Sequence, residues 1–195
     1  MSGHTHMVER RSEGGGASRF VVRPAQAGDF GAIHSIYADS VTSSAASFEI
    51  EPPATDEMLR RWRSVAVARC PYLVAERGDE VVGFAYARPF HERAAFAWTV
   101  ENSVYVAAHY ARQGVGRLLL AALIEAATDA GFRQMVALIS SDAAPASVPL
   151  HEAAGFRVAG RLAAVGYKHG RWHDIVHMQL PLGQGSATRP TIPVP

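Results

Sequence analysis

The sequence predicts a single α/β domain in which one mixed sheet carries helices on both of its faces. A chain of 195 residues, 48% of them hydrophobic, is long and apolar enough to form one domain with a substantial core. No internal repeat is visible, and no linker divides the chain. Segments with the periods of strands and helices follow one another in the order βααβββαβαββ, which is typical of one mixed α/β layer.

The first half of the chain supplies one strand, two helices and a hairpin. Each predicted helix carries apolar residues on one face, whereas the strands are short runs rich in β-branched and aromatic residues. The turn Gly78-Asp79-Glu80 separates two such runs and predicts that they pair as a hairpin. The predicted elements are a strand at 20–23, helices at 29–40 and 55–68, and strands at 72–77 and 81–88.

A strongly periodic helix from Gly114 to Ala130 dominates the second half. Leu119 and Leu123 belong to its apolar stripe, and Gly131 follows at its end, where glycine is favoured. Residues 167–173 are predicted to be the loop between the last two strands. The other predicted elements are strands at 98–107 and 134–139, a short helix at 146–154, and strands at 156–162 and 174–182.

The two ends of the chain have the composition of segments outside a folded core. Residues 1–19 are rich in Gly, Ser and charge, have no apolar stretch typical of a secretory signal, and are predicted to be a disordered leader. Residues 184–195 are rich in Gly, Ser, Thr and Pro and are predicted to be a flexible tail. The single domain is therefore expected to occupy residues 20–183.

Charge, hydropathy and cysteine content narrow the possible function classes. The formal net charge is +1 and the basic residues are scattered, so nothing indicates a nucleic acid partner. No apolar run has the length of a bilayer span, and no membrane partner is expected. The one cysteine, Cys70, cannot form an intrachain disulfide, which suits a cytoplasmic protein. Cys70 itself is predicted to be a small core residue rather than a nucleophile.

The stretch from Glu101 to Leu120 is the most informative part of the chain for function. It is predicted to be a strand, a glycine turn at Gly114 and Gly116, and the start of an apolar helix. Unpaired N–H groups at a helix start bind phosphate groups well, although glycines also serve simply to turn the chain. An anion site close to a carboxylate suggests a transferase that uses a phosphorylated carrier.

An ordered set of motifs between residues 21 and 182 carries a family resemblance. The motifs are Phe48-Glu-Ile-Glu-Pro52, Tyr72-Leu-Val-Ala-Glu76, Gly83-Phe-Ala-Tyr86, Trp98-Thr-Val-Glu101, Val104-Tyr-Val106, Gly114-Val-Gly116, Leu150-His-Glu152, Gly155-Phe156 and Gly166-Tyr-Lys-His-Gly170 with Trp172-His-Asp174. With them the chain resembles the GCN5-related N-acetyltransferases (GNAT), and within these the phosphinothricin (methionine sulfoximine) acetyltransferases. The resemblance implies the GNAT fold, a mostly antiparallel central sheet flanked by helices, with acetyl-CoA as donor and a small primary amine as acceptor.

The resemblance also implies where acetyl-CoA binds. Backbone N–H groups of the glycine turn would bind the pyrophosphate, and the edge of the preceding strand would receive the pantetheine arm. The Tyr105 side chain, by strand alternation, points away from its neighbours and is predicted to be core. Ala111 and Ala144 depart from the family pattern, which commonly has a long polar side chain and an asparagine there. The implied binding residues are Val104, Tyr105, Val106, Arg112, Gln113, Gly114, Val115, Gly116, Arg117 and Ser147.

Glu101 and His151 are the implied catalytic residues. An acceptor amine is mostly protonated near neutral pH, so a carboxylate such as Glu101 has to take its proton before the nitrogen can attack. His151 stands where many acetyltransferases have tyrosine, and its imidazole can return a proton to the departing thiolate. Without the resemblance, Glu101 would be interpreted as a strand-end carboxylate paired with Arg93, and His151 as a helix residue bonded to a backbone carbonyl.

Phe48, Tyr86, Arg93 and Phe96 are the implied lining of the acceptor pocket. The guanidinium of Arg93 can bind a carboxylate or phosphinate bidentately. Phe96 stands where the phosphinothricin enzymes tend to have tyrosine, so the identity of the acceptor stays open. Another amino acid, a polyamine or a protein N-terminus is an alternative acceptor, and a non-catalytic acetyl-CoA sensor is an alternative function.

The histidines of the segment 167–173 raise the question of a metal site. His169, His173 and Asp174 lack the spacing of a metal-binding motif, and no metal is expected. A structural loop beside the pocket or a dimer contact is the preferred interpretation, since members of the family are often homodimers.

Overall fold

The computed structural model describes residues 20–140 and 145–190. The predicted leader at 1–19, the position Ala144 and the end of the predicted tail lie outside the described residues. Within the described residues, seven strands and four α-helices follow one another in the predicted order. They are β1 (Phe20–Pro24), α1 (Phe30–Ser43), α2 (Thr55–Val67), β2 (Tyr72–Arg77), β3 (Glu80–Pro89), β4 (Thr99–Val106), α3 (Val115–Asp129), β5 (Gln134–Ser140), α4 (Ser147–Ala153), β6 (Arg157–Lys168) and β7 (Arg171–Pro181).

The strands form one mixed sheet in the order β1-β2-β3-β4-β5-β7-β6. All neighbouring pairs are antiparallel except β4 and β5, which are parallel. The β4–β5 pairing runs from Thr99 opposite Gln134 to Asn102 opposite Ala137 and stops there, although both strands continue. The predicted fold class, a mostly antiparallel sheet flanked by helices, is confirmed, and the sheet opens between β4 and β5.

Both faces of the sheet are covered, as two adjacent residues of β3 show. Neighbouring residues of a strand point to opposite faces. A Cβ built on Gly83 would lie 3.1 Å from Leu119 Cδ1 and 3.3 Å from Val115 Cγ1, so α3 packs closely on that face. The ring of Phe84, which is fully buried, meets that of Tyr37 from α1 on the other face. The core therefore has two layers, one on each side of the central strands.

The end of the β6–β7 hairpin corrects one element of the sequence analysis. Residues 167–173, predicted to be a connecting loop, instead continue the two strands, with Tyr167 paired to Trp172. The turn itself contains only His169 (φ 49°) and Gly170 (φ 76°). Two successive residues with positive φ make the tight turn that matches the twist of a hairpin. The prediction was wrong because a histidine in the left-handed region gives little signal in a sequence.

The segment after β7 makes specific contacts with the domain over its described part. Leu182 is buried, and the guanidinium of Arg133 donates hydrogen bonds to the carbonyl oxygens of Gly185 (2.9 Å) and Thr188 (3.1 Å). Within residues 20–140 and 145–190, no helix has both the length and the apolar character needed to span a bilayer.

Candidate active site

A cavity of about 820 Å³ opens where β4 and β5 separate. Its walls come from α2 and the segment between α1 and α2, from strands β2 to β5, and from α4, and Tyr37 of α1 and Ile175 of β7 also line it. Seven of the residues predicted for catalysis or binding lie together in its lining. They are Phe48, Tyr86, Glu101, Val104, Tyr105, Ser147 and His151.

One wall of the cavity consists of stacked aromatic rings. The rings of Tyr72 and Tyr86 lie 4.9 Å apart, and Tyr105 lies 5.0 Å from both Phe84 and Tyr37. Tyr105 thus packs in this cluster, as predicted, and also lines the cavity. Burial raises the pKa of the Tyr37 phenol to about 12 and that of Tyr105 well above its usual value. These phenols stay protonated near neutral pH and can donate hydrogen bonds, but they cannot act as bases.

Glu101 lies on β4 just before the point where β4 and β5 separate. Its side chain is 13% exposed, and Oε1 accepts a hydrogen bond of 2.7 Å from Nη2 of Arg88. Arg88 lies directly opposite Glu101 in the β3–β4 register, so the pairing follows from the sheet itself. The cation beside Glu101 is therefore Arg88 and not Arg93, the partner considered from the sequence. Arg88 also lines the cavity.

His151 links α4 to the two strands that separate. Its Nδ1 lies 2.7 Å from the carbonyl oxygen of Ser147, and its Nε2 lies 3.1 Å from Oδ1 of Asn102. The amide of Asn102 in turn donates to the carbonyl oxygen of Val136 on β5. Burial lowers the pKa of His151, against the effect of the Ser147 carbonyl, and so favours the neutral ring. Because both neighbouring atoms are acceptor oxygens and a neutral ring carries one N–H, the neutral ring donates a hydrogen bond to one of them at a time.

The glycine turn forms the predicted start of α3, next to the cavity. Arg112 (φ 63°) and Gly114 (φ 88°) adopt left-handed conformations, and Gly114 is the N-cap residue. The first N–H groups of a helix lack partners within it and point outward along its axis. A Cβ on Gly116 would lie 3.5 Å from Leu150, a residue that lines the cavity, and 3.8 Å from Val106. The turn therefore adjoins the opening between β4 and β5.

The other side chains of the turn have more limited roles. The amide of Gln113 donates to the carbonyl oxygen of His109 at 2.9 Å, so it is committed within the loop. Arg112 and Arg117 are exposed. The long polar side chain that the family commonly has at the position of Ala111 is therefore not replaced by Gln113.

The loop between α1 and α2 carries Phe48 and is fastened to the β6–β7 hairpin. Lys168 is buried and its Nζ donates a hydrogen bond of 2.7 Å to the carbonyl oxygen of Ser47. The ring of Phe48 lies edge-on to that of His173, 6.0 Å away, and covers Gly166. The hairpin thus holds in place the loop that carries Phe48 into the cavity lining.

Arg93 and Phe96 are placed outside the cavity lining. Arg93 precedes a short 3₁₀ turn at Ala94–Phe96, and the Phe96 ring packs against Phe90 and His91. Their roles in acceptor binding stay predictions.

Four charged or amide residues of the lining were missed from the sequence. They are Glu49, Arg61, Arg88 and Asn102. Arg61 donates to Glu49 on the loop between α1 and α2, and also to Glu57 within α2. Arg88 could have been found only from the β3–β4 register, which places it opposite Glu101. A sequence alone does not reveal such a register.

The polar residues of the β6–β7 hairpin serve local structure. His169 lies 3.3 Å from the carbonyl oxygen of Ser44, and His173 lies 3.1 Å from that of Lys168. Asp174 accepts hydrogen bonds from Arg161 and from the backbone N–H of Ala164. In the part of the chain that the structure describes, no group of three or more His, Cys, Asp or Glu residues is arranged to hold a metal ion.

Comparison with known proteins identifies the family to which this architecture belongs. The family model described as an acetyltransferase (GNAT) domain matches residues 22–177. A phosphinothricin N-acetyltransferase of Alcaligenes faecalis is 45% identical over 169 residues, covering 87% of this chain and 86% of that protein. An L-methionine sulfoximine/L-methionine sulfone acetyltransferase of Salmonella typhimurium is 37% identical over 166 residues, covering 85% of this chain and 96% of that protein.

A solved structure gives the same result. The crystal structure of a GNAT superfamily phosphinothricin acetyltransferase from Sinorhizobium meliloti, in complex with acetyl-CoA, superposes with a TM-score of 0.86. The two chains are 41% identical, and the match covers 90% of this chain and 95% of that one. The family and the enzyme class predicted from the sequence are confirmed. The chain therefore belongs to the GNAT acetyltransferases, in the group that contains the phosphinothricin and methionine sulfoximine acetyltransferases.

Proposed function

We propose that this protein transfers the acetyl group of acetyl-CoA to the primary amine of a small amino-acid-like acceptor, such as phosphinothricin or methionine sulfoximine. Transfer occurs by direct attack of the amine within a ternary complex. The observation that carries the proposal is the position of Glu101, a carboxylate inside the cavity at the point where β4 and β5 separate. The names of the relatives support the same donor and the same class of acceptor.

The residues around the opening fit acetyl-CoA. The helix start at Arg112–Arg117 presents backbone N–H groups for the pyrophosphate, and Gly116 leaves room beside Leu150. The edge of β4 at Val104–Val106 is paired with β3 on one side only, which leaves the other side free to pair with the pantetheine arm. Acetyl-CoA supplies an acetyl group that is activated as a thioester. A backbone N–H of Val104–Val106 polarises the thioester carbonyl, and Ser147 contacts the arm from α4.

Glu101 acts as the general base on the acceptor ammonium. The N–H bond of the ammonium breaks, the proton moves to a carboxylate oxygen of Glu101, and the nitrogen lone pair becomes free to attack. The protonated phenols of the aromatic wall cannot take this proton. Phe48 and Tyr86 enclose the acceptor beside Glu101, and Arg93 and Phe96 complete the proposed acceptor site from the outside.

His151 is the proposed source of the proton that the departing thiolate takes up. In this role the imidazolium form gives up the proton and becomes the neutral ring that burial favours. The ring must also release Asn102, because Nε2 lies 3.1 Å from its Oδ1. A thiol has a pKa near 8.5 and leaves readily, so the assistance needed is small.

Replacement of His151 by Gln is expected to lower kcat about tenfold, less than the loss usual for a general acid, because the thiolate is a good leaving group. Steady-state kinetics with saturating acetyl-CoA measures the effect, and thermal unfolding of the same variant serves as the control. An unchanged kcat together with a lower melting temperature would show that His151 only holds α4 against β4.

A thiol-release assay tests the proposed function. The protein is incubated with acetyl-CoA and a panel containing phosphinothricin, methionine sulfoximine, other amino acids, a polyamine and a short peptide with a free N-terminus. Release of coenzyme A with the first two acceptors, at the highest kcat/KM of the panel, is the expected result. Preference for another member would contradict the proposed acceptor class. Acetyl-CoA binding without turnover of any amine would instead identify a sensor, the alternative that Ala111 suggests.

The enzyme is also proposed to form a homodimer through the β6–β7 hairpin. The strand β6 lies at the edge of the sheet and is exposed along most of its length. Tyr167 and Trp172, whose rings touch at 5.2 Å, are 56% and 61% exposed, and Val158, Leu162 and Val165 are exposed beside them. A continuous apolar surface on an edge strand suits a second copy of the chain.

The double variant Tyr167→Glu/Trp172→Glu is expected to be a monomer. Aromatic residues at the centre of an interface typically contribute about 2 kcal/mol or more each, and introduced carboxylates repel one another across a two-fold axis. Sedimentation velocity measures the oligomeric state, and Val67→Glu, at an exposed valine on α2 away from the hairpin, is the control. A double variant that still sediments as a dimer would place the interface elsewhere.

A further inference from the structure

The ring of His151 faces two hydrogen-bond acceptors, one more than a neutral imidazole can use. Nδ1 lies 2.7 Å from the carbonyl oxygen of Ser147, and Nε2 lies 3.1 Å from Oδ1 of Asn102. A neutral ring carries a single N–H group, whereas the imidazolium carries two. The two oxygens therefore match the protonated ring, although burial favours the neutral one.

The orientation of the Asn102 amide is set by β5. Its Nδ2 donates a hydrogen bond of 3.3 Å to the carbonyl oxygen of Val136, an atom that can only accept. Because the amide nitrogen is committed to Val136, the amide oxygen is the atom that faces His151. Asn102 is 6% exposed and His151 is 4% exposed, so water has little access to either side chain.

We propose that Asn102 is a positioning residue that keeps a proton on Nε2 of His151 until the thiolate of coenzyme A takes it. Both side chains line the cavity, so the thiolate can replace the Asn102 oxygen as the acceptor of that N–H group. The exchange is favourable because a hydrogen bond to an anion is stronger than one to a neutral amide. The inference rests on the proposed function, since it assumes that His151 protonates the thiolate.

The proton transfer balances without a further reactant. The N–H bond at Nε2 of His151 breaks, the proton forms the S–H bond of coenzyme A, and the electron pair stays on Nε2. The neutral ring keeps its hydrogen bond to Ser147 through Nδ1–H. Its Nε2 lone pair then faces the oxygen of Asn102, and the repulsion between them favours uptake of a new proton from solvent.

Among the described residues, few charges on the neighbouring elements face the imidazole ring. The nearby carboxylate on β4 is Glu101, which is paired with an arginine. The strand β5 contains no titratable residue. Arg117 at the start of α3 and Glu152 on α4 are exposed, and the ring of Phe156, 4.9 Å away, is apolar. The neutral amide on β4 is thus the side chain placed to stabilise the imidazolium.

Histidine titration by NMR tests whether Asn102 supports the charged ring, with the His151 signal identified by its absence from His151→Gln. Asn102→Leu removes the acceptor and is expected to lower the pKa of His151 by about one to two pH units, the value of a hydrogen bond to a charged group. Asn102→Asp places a carboxylate there and is expected to raise that pKa. Gln184→Leu removes an exposed amide outside the cavity lining and should leave it unchanged.

Kinetic measurements test whether this support matters for catalysis. Asn102→Leu is expected to lower kcat up to about tenfold, the loss expected for His151→Gln. The double variant should be no slower than His151→Gln, because Asn102 acts through the ring. In Asn102→Asp the decline of kcat that follows loss of the imidazolium should move to higher pH, since a raised pKa keeps the ring charged further. Thermal unfolding confirms that each variant is folded, and Asn102→Asp alone carries the titration test if Asn102→Leu is not.

The outcomes separate the inference from the function on which it rests. An unchanged pKa of His151 in the Asn102 variants would overturn the inference, since burial and Ser147 alone would then set the charge of the ring. Rate losses that add in the double variant would also overturn it, because Asn102 would then act without His151. If the titrations shift as expected but the wild-type protein turns over no acceptor, the proposed acetyl transfer is contradicted and not the coupling of the two side chains.

Discussion

Replacement of Glu101 by Gln is expected to lower kcat/KM at neutral pH by about 10²- to 10⁴-fold, the usual contribution of a general base. The amide keeps the size of the side chain and can still accept a hydrogen bond from Arg88, but it cannot take a proton from the acceptor ammonium. The affinity for acetyl-CoA should hardly change, because the predicted pyrophosphate site lies on α3. Steady-state kinetics and isothermal titration with acetyl-CoA measure the two quantities separately.

Glu49 provides the matched comparison for Glu101. It is the other glutamate of the cavity lining, and it accepts hydrogen bonds from Arg61 and from the Tyr37 hydroxyl. Glu49 lies on the loop between α1 and α2, not where β4 and β5 separate. Glu49→Gln is therefore expected to raise KM for the acceptor more than it lowers kcat. If Glu49→Gln lost as much kcat as Glu101→Gln, the base could not be assigned to Glu101. An equal loss of acetyl-CoA affinity and rate in Glu101→Gln would also remove it from that role.

Replacement of Gly166 by Ala is expected to raise KM for the acceptor by up to about a hundredfold, the effect of displacing a binding group by about 1 Å. A Cβ at this position would lie 2.1 Å from Cε1 and 2.6 Å from Cδ1 of Phe48. Contacts this short force the ring to move, and Phe48 lines the cavity where we propose that the acceptor binds. Steady-state kinetics with varied acceptor measures KM, and the KM for acetyl-CoA is the internal reference.

Two further variants isolate the contact between Gly166 and Phe48. Gly160→Ala lies in the same strand, where a Cβ would have no neighbour within 4 Å, and it should leave KM at the wild-type value. The contact with the Phe48 ring should also lower the stability of Gly166→Ala. Adding Phe48→Leu removes the clashing ring atoms and should recover part of that stability. A wild-type KM for the acceptor in Gly166→Ala would show that Phe48 does not shape the acceptor site.

The order of the elements and most of the site could be predicted from the sequence because the signals are local. Periodicity identifies α3 and its neighbours, and the motifs place Glu101 and His151 on elements that the structure brings to one cavity. Residues that depend on how strands pair were missed. Arg88 faces Glu101 only through the β3–β4 register, and Asn102 reaches His151 across 49 positions in the chain.

The turn of the β6–β7 hairpin and the positions of Arg93 and Phe96 show a second limit of sequence reasoning. The positive φ of His169 leaves no compositional signal of the kind that glycine gives, so the β6–β7 turn was predicted as a longer loop. Arg93 and Phe96 were predicted from the family resemblance, which indicates residue types but not the direction of a side chain. Their distance from the cavity lining depends on the path of residues 90–98, which the sequence does not determine.

The short pairing between β4 and β5 divides the sheet into two halves, and contacts at two ends hold these halves together. At one end they share only four paired positions, Thr99–Asn102 with Gln134–Ala137. At the other end the ammonium of Lys168, in the second half, holds the carbonyl oxygen of Ser47, in the first. The two halves are joined both at the β4–β5 pairing and by the hydrogen bond between Lys168 and Ser47, and these two contacts oppose a rotation that would widen or close the cavity. We therefore expect ligands to enter and leave without domain closure, so that the catalytic geometry is already set before either substrate arrives.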